Sequence, residues 1–264
     1  MKISAYIIAY NEAEKIRDCI NSVLWADEII LIDSNSTDGT SEIANELGAK
    51  VIHIKFKGYG DLRNQAILHC NGDWVFSLDS DERCTSEVRD EILSIIDKNS
   101  EFDIYRIPRK NFFMGKWIKH SGWYPNFRQP QLFRNGKMSY DNNPVHEGFI
   151  SHSDKRISVI KNYIWQFPFK NMEEILYKAN RYSNLGVTKL QERGVAGSVF
   201  KAFIHASWSF IKHYILKLGF LDGGAGFVIA FGNFEGTFYR YIKLAESQKN
   251  WEPPKVKPIN KINK

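Results

Sequence analysis

Apolar and polar positions come in alternating blocks through the first third of the chain. Ile3-Ser4-Ala5-Tyr6-Ile7-Ile8-Ala9 is a short apolar run that gives way to Tyr10-Asn11-Glu12. Ala13 to Leu24 then carries Ile16, Ile20, Val23 and Leu24 at helical spacing. Glu28-Ile29-Ile30-Leu31-Ile32-Asp33 is a second run, closed by the polar cluster Ser34-Asn35-Ser36-Thr37-Asp38-Gly39-Thr40. A helix over Ser41 to Leu47 follows, with Gly48 placed as its C-cap. Val51 to Ile54 reads as a third strand, Asp61 to His69 as a helix and Trp74 to Leu78 as a fourth strand. Strands alternating with helices predict βαβ units, and so an α/β fold with a mostly parallel sheet covered by helices on both faces.

Polar groups end three of these strands: Asn11 and Glu12, then Asp33, then Asp79-Ser80-Asp81. In an open α/β sheet such strand ends share one crevice, where ligands bind. Two carboxylates one residue apart suit a hard divalent cation, which takes oxygen ligands and commonly pairs one or two carboxylates with substrate phosphates. An acidic turn would look the same locally. No GxGxxG follows the first strand and no GxxxxGK[ST] is present, so the chain lacks both usual glycine-rich phosphate cradles.

Taken together, four segments resemble the family 2, GT-A-fold glycosyltransferases: Ile7 to Glu12, Ile32 to Thr40, Arg63-Asn64-Gln65-Ala66 and Leu78-Asp79-Ser80-Asp81-Glu82. Further on, Gln131-Leu132-Phe133-Arg134, Val145-His146-Glu147 and Tyr214 to Gly223 resemble the subgroup that includes bacterial lipopolysaccharide-core β-glucosyltransferases. The resemblance implies a Rossmann-like GT-A sheet with a C-terminal helical appendage. It also implies an inverting enzyme that moves a hexose, glucose first among them, from a UDP-sugar to a lipopolysaccharide-core or similar glycolipid or oligosaccharide acceptor. Other envelope glycans, a polyprenyl phosphate, or a binding module without transfer activity are the alternatives.

By the same resemblance, Asp33 contacts the uracil, the backbone of Ala9, Tyr10 and Asn11 flanks the base, and Glu12 lies near the nucleotide. Arg63 approaches the diphosphate or the loop bearing Asp79, and Asn64 belongs to the same patch. Asp79 meets the ribose or metal-bound water, Ser80 belongs to the nucleotide-sugar site, and Asp81 ligates Mg²⁺ or Mn²⁺, with Asp79 as a second metal candidate. Simpler readings exist: an Asx turn or cap for Asp33, a salt bridge for Arg63, a helix cap for Asp61, and a second-sphere or solvated place for Glu82. Inverting transfer also needs a base for the acceptor hydroxyl. Glu147, between Pro144 and Gly148, is the candidate, with His146 beside it and Asp141 as its competitor.

Composition adds limits rather than chemistry. The chain has 264 residues, 43% of them hydrophobic, enough for one large α/β domain with appendages. Cys19, Cys70 and Cys84 show neither CxxC spacing nor an even count, which argues against a disulfide framework and suits a reducing cytoplasm. The first apolar run begins at Ile3 and feeds a strand, so it does not read as a signal peptide.

Net charge is +6, and residues 201–264 hold 10 Lys+Arg against 4 Asp+Glu, so the excess is C-terminal. Residues 111–135 mix Phe112, Phe113, Trp117, Trp123, Tyr124, Phe127 and Phe133 with Lys116, Lys119, Arg128 and Arg134, as an acceptor groove or a packed subdomain core would. No nucleic-acid motif accompanies them, and no nucleic-acid partner is expected.

From Val199 to Leu218, Phe200, Phe203, Ile204, Ile211, Ile215 and Leu218 recur at helical spacing opposite Ser198, Lys201, His205, Ser209 and Lys212. Such a helix either packs on the core or lies peripherally on an anionic membrane, at its cytoplasmic inner face. The expected divisions are residues 1–110 for the nucleotide sugar, 111–195 for acceptor and base, 196–250 for the amphipathic helices and 251–264 for a flexible basic tail.

Overall fold

The structure, a computed structural model, describes residues 1–124, 129–141 and 148–249. His146, Glu147 and the basic tail lie outside the described residues, as do Phe127 and Arg128.

Contacts divide the chain into two units, residues 1–119 with 123–170, and residues 120–122 with 171–264. The first unit runs β1 (Ile3–Ala9), α1 (Ala13–Asn21), β2 (Glu28–Asp33), α2 (Thr40–Glu46), β3 (Lys50–His53), α3 (Tyr59–Leu68), β4 (Trp74–Asp79), β5 (Glu82–Arg83) and α4 (Ser86–Asp97). It continues through β6 (Ile104–Arg106), β7 (Arg109–Phe113), β8 (Lys116–Trp117), β9 (Pro130–Arg134), β10 (Met138–Tyr140), β11 (Phe149–Ser151), β12 (Ser158–Val159) and β13 (Ile164–Gln166).

The main sheet has the order β12-β6-β9-β4-β1-β2-β3. β4, β1, β2 and β3 are parallel, and β9 runs antiparallel between β4 and β6. This is the α/β, mostly parallel arrangement that the alternating blocks predict.

Period-2 alternation explains why both faces are covered. Ile3, Ala5, Ile7 and Ala9 of β1 join α1, α2 and α4 through Ile16, Cys19, Ile20, Ala44, Val88 and Ile92. Tyr6 and Ile8 point the other way and join α3 through Leu62 and Ala66, with Met138 and Tyr140 of β10. Every residue of β1 is buried. At roughly 1.5–3 kcal/mol for each large apolar side chain removed from water, these two clusters are the main stabilising term of the unit.

Helix ends differ from expectation where local bonds intervene. α1 stops at Asn21 rather than Leu24, because the Ser22 hydroxyl donates to the Cys19 carbonyl (2.7 Å) and the chain tightens into a turn. α3 begins at Tyr59, two residues before Asp61, so Asp61 sits in the first turn and does not cap the helix; Gly58 occupies the cap at φ +139°. The aromatic stretch packs on itself. Phe113, Trp123 and Phe169 form a triangle with centroids 5.9–6.1 Å apart, and the Lys110 and Lys119 ammonium groups lie 4.7 and 4.8 Å from the Trp117 ring centroid. That is core packing with cation–π cover.

The second unit holds α5 (Met172–Glu192), α6 (Val199–Ile211), a π-helical turn (Lys212–Leu216), a 3₁₀ turn (Gly219–Asp222) and α7 (Gly224–Ser247). α5 packs on α7. Asn171 and Ser198 cap α5 and α6, accepting from the amides of Glu174 and Lys201. The helix expected to reach Leu218 ends earlier, because Leu218 adopts φ +55°. Asp222 is buried and accepts from the His120 amide (3.0 Å) and the Ser121 hydroxyl (2.9 Å). Gly226 is required by close approach, since a Cβ there would lie 1.8 Å from the Gly219 carbonyl oxygen.

Candidate active site

Register brings the strand-end residues together. Ala9 is paired with Asp33, and Ile8 with Asp79, so β1, β2 and β4 end side by side on one edge of the sheet. The loops that leave this edge are bonded to each other. The Asn11 amide donates to the Ser36 hydroxyl (2.8 Å), and the Thr37 amide to the Asn11 side chain (2.9 Å). The Glu12 amide donates to the Thr40 hydroxyl (2.8 Å). Asp38 accepts from the first amides of α1, Ala13 (3.0 Å), and of α2, Thr40 (3.1 Å). Burial raises the Asp38 pKa, but these bonds and the one from the Thr40 hydroxyl outweigh it and leave the carboxyl below its usual range. Tyr10 stands on this platform with 59% of its surface exposed.

Asp33 is fully buried. Its carboxylate accepts from the Ser36 amide (3.1 Å) and hydroxyl and the Ser41 hydroxyl (2.9 Å), and faces His53 at 3.2 Å. It therefore organises the β2–α2 loop, as an Asx turn does. Next to it, the buried Ser34 hydroxyl has no hydrogen-bond partner among the described residues.

Arg63 reaches from α3 to the end of β4. Its guanidinium donates to Asp79 (2.5 Å) and to the Ser77 hydroxyl (3.2 Å), and lies 5.5 Å from the Tyr140 ring centroid. Asn64 uses its amide as a strut: Nδ2 donates to the Tyr140 carbonyl and Oδ1 accepts from the Tyr140 amide, both at 2.8 Å. One step further, the Gly148 amide donates to Asp141 (2.8 Å). Asp141 and Gly148 thus close onto each other beside Tyr140, which Asn64 ties to the helix that carries Arg63.

Glu82 is not solvated. It is fully buried, ion-paired with Arg109, and accepts from the Asp79 amide (3.0 Å) and the Gln131 side chain (2.9 Å). Burial pushes its carboxyl up to about 7, against the opposing pull of Arg109; the charges of Asp79 and Asp81 act in the same direction as burial. Glu82, Arg109 and Gln131 form a polar floor under the Asp79-Ser80-Asp81 turn. The motif Gln131-Leu132-Phe133-Arg134 was legible, but not this use of its first residue. Ser80 is buried, and its carbonyl accepts from Arg83 (2.9 Å). The Cys19 thiol, also buried, donates to the Asp79 carbonyl (3.4 Å). Burial, with the nearby Glu82, Asp81 and Asp79 charges, holds it well above the usual thiol range, against the pull of Arg83.

The turn suits a hard cation. Among the described residues no cluster of three His, Cys, Asp or Glu side chains forms a complete cage. Asp79 and Asp81 instead form a pair at a strand end, the Asp79 side chain 31% exposed, and Mg²⁺ and Mn²⁺ commonly complete such partial sets with phosphate oxygens. Both carboxylate oxygens of Asp81 accept from the side-chain amide nitrogen of Gln166 on β13, at 3.2 and 3.4 Å. Sequence reasoning missed Gln166, which stands in a short strand with no motif around it.

Comparison with known proteins supplies the family. The chain is 31% identical over 255 residues to an uncharacterised glycosyltransferase of Rickettsia conorii, covering 93% of this chain and 90% of the relative. It is 27% identical over 256 residues to the lipopolysaccharide core biosynthesis glycosyltransferase LpsC of Rhizobium meliloti, covering 93% and 92%. Among solved structures, residues 1–349 of S. aureus TarS align with a TM-score of 0.49 at 18% identity, covering 94% of this chain and 91% of that one. The family model for glycosyl transferase family 2 matches residues 4–153, more than half the chain and all three strand ends of the candidate site. The chain therefore belongs to glycosyl transferase family 2 and is a glycosyltransferase.

Proposed function

We propose that this glycosyltransferase moves a hexose, glucose foremost, from a UDP-sugar to a lipopolysaccharide-core or related glycan acceptor, with inversion and with a divalent cation. The observation that carries the reading is the register of Ala9, Asp33 and Asp79 on one sheet edge, with Arg63 clamping Asp79 beside Asp81. The name of the Rhizobium meliloti relative supports the class of acceptor. We place that acceptor on a lipid anchor at the inner face of the bacterial cytoplasmic membrane.

In this reading the loops after β1 and β2 receive the nucleoside, with the Ser34 hydroxyl, Asp33 and the backbone of Ala9, Tyr10 and Asn11 near the base. Asp81 and Asp79 hold the cation, whose Lewis acidity stabilises charge on the departing diphosphate. Arg63 fixes one carboxylate oxygen of Asp79, and Gln166 fixes Asp81. Glu147 takes the proton as the acceptor oxygen bonds to the anomeric carbon; the bond from that carbon to the diphosphate oxygen breaks, and its electron pair leaves with UDP. His146 orients the base or the donor.

Calorimetry with UDP-, GDP- and CMP-sugars, in Mn²⁺ and in EDTA, tests the donor site. Metal-dependent binding of a UDP-hexose is expected for the native chain. Asp81→Ala should lose it and lower transfer by about a hundredfold or more, the scale of several kcal/mol of metal assistance. Binding that is equal in EDTA would remove the metal from the reading. No nucleotide-sugar binding by folded protein would favour a non-catalytic module.

A further inference from the structure

In α6 the small side chains face inward, and most of the large apolar ones are exposed. Ala202 and Ala206 are buried, the Ser209 hydroxyl donates to the Asn233 carbonyl of α7 (3.4 Å), and the His205 ring stacks on Tyr241 with centroids 4.5 Å apart. Those residues contact α7, as do Phe210, edge-on to Phe227 (5.7 Å), and one edge of the Phe203 ring, T-shaped to Phe234 (6.4 Å). The opposite side carries Phe200 (73% exposed), Phe203 (57%), Ile204, Trp208 (56%) and Ile211, and Ile215 extends it through the π-helical turn. Spacings of three, four and eight residues keep these positions on one stripe about a helix. Lys201 and Lys212, both exposed, lie along its border. The sequence gives the stripe but not its direction, and the structure turns it toward solvent.

A soluble surface rarely exposes contiguous apolar area of this size without a binding role. Two features identify the occupant. The stripe is rich in Phe and Trp with lysines at its edge, the composition of a helix lying in a lipid interface. In addition, all of the chain's net charge of +6 falls in residues 201–264, which suits an anionic surface. No described helix is long and apolar enough to cross a membrane.

We propose that the Phe200–Ile215 face of α6 and its π turn seats on an anionic bilayer, with Phe200, Phe203, Trp208 and Ile211 at acyl-chain level and Lys201 and Lys212 among the headgroup phosphates. The inference rests, for its biological sense, on the reading of a membrane-anchored acceptor; the contact itself comes from α6. A second copy of this chain is the competing occupant.

Flotation with phosphatidylcholine vesicles, with and without phosphatidylglycerol, tests it on the full chain. The native protein should float with the anionic vesicles, and brominated acyl chains should quench part of its tryptophan emission, a part absent in Trp208→Phe. The double variant Phe203→Glu/Trp208→Glu, shown folded by circular dichroism, should bind about a hundredfold more weakly, and Lys201→Glu/Lys212→Glu about tenfold. The proposal falls if the native chain does not float, or if the double variant floats equally well. It also falls if sedimentation shows a lipid-free dimer that the double variant converts to monomers. Transfer to a water-soluble acceptor oligosaccharide should be unchanged in the double variant. If vesicle binding holds while no sugar is ever transferred, the proposed function fails and the membrane contact stands.

Discussion

The two units use polar and apolar groups in opposite ways. Under the β4 end, Arg63, Glu82, Arg109 and Gln131 are buried and bonded to one another or to the strand, and the large apolar side chains are sealed between sheet and helices. In the C-terminal helices, small residues, a serine and Phe210 meet α7, and Phe200, Ile204, Trp208 and Ile211 are exposed. The first arrangement fixes positions: buried charges tolerate little displacement, which suits an edge that must hold reacting groups. The second leaves its largest hydrophobic area uncommitted within the chain.

Charge should therefore break the first unit, and steric bulk the second. Arg109→Ala leaves Glu82 buried without its cation and should cost about 3–5 kcal/mol in urea unfolding, whereas removing both partners in Arg109→Leu/Glu82→Leu should recover much of it. Gly226→Ala, placing a methyl against the Gly219 carbonyl, should cost about 1–3 kcal/mol, the range for overpacking, with no change in metal affinity.

Gln166→Ala sharpens the contrast, because it perturbs the site without touching the fold. Metal affinity in the presence of UDP should fall about tenfold by calorimetry, the lower end of what supporting residues contribute, while the unfolding midpoint stays put.

The smallest effect concerns pH. Arg109 from β7, Gln131 from β9, and Asp79 and Asp81 at the β4 end surround Glu82, whose carboxyl sits at about 7 instead of 4.5. A raised acid stabilises the fold fully below its ordinary pKa and loses that contribution as pH rises through the raised value. Between those values the native chain should lose stability relative to Glu82→Gln, read as converging or crossing urea midpoints.

Much of the first unit was legible because its signals are local. The apolar runs of β1, β2 and β4 end within one residue of where they were expected, and Asp79 and Asp81 stand at a strand end. What sequence missed depends on distant partners. Glu82 follows Asp79-Ser80-Asp81 and reads as more of a polar turn until Arg109 arrives from another strand. Asn64 lies in a segment that resembles a nucleotide site, yet its amide is bonded at both ends to the Tyr140 backbone. For α6, periodicity fixes which residues share a side, but only the fit of Ala202 and Ala206 against α7 decides which side is inside.

Cys19 gives the β4 end a built-in chemical clock. Its thiol is sealed at the carbonyl of Asp79 and kept protonated by its surroundings, so a thiol reagent can modify it only in molecules whose strand end has opened. The labelling rate of that one sulfur thus counts excursions of the candidate site in the resting protein. A ligand that seats on Asp79 and Asp81 should slow the count in proportion to its occupancy, whether or not any sugar has moved.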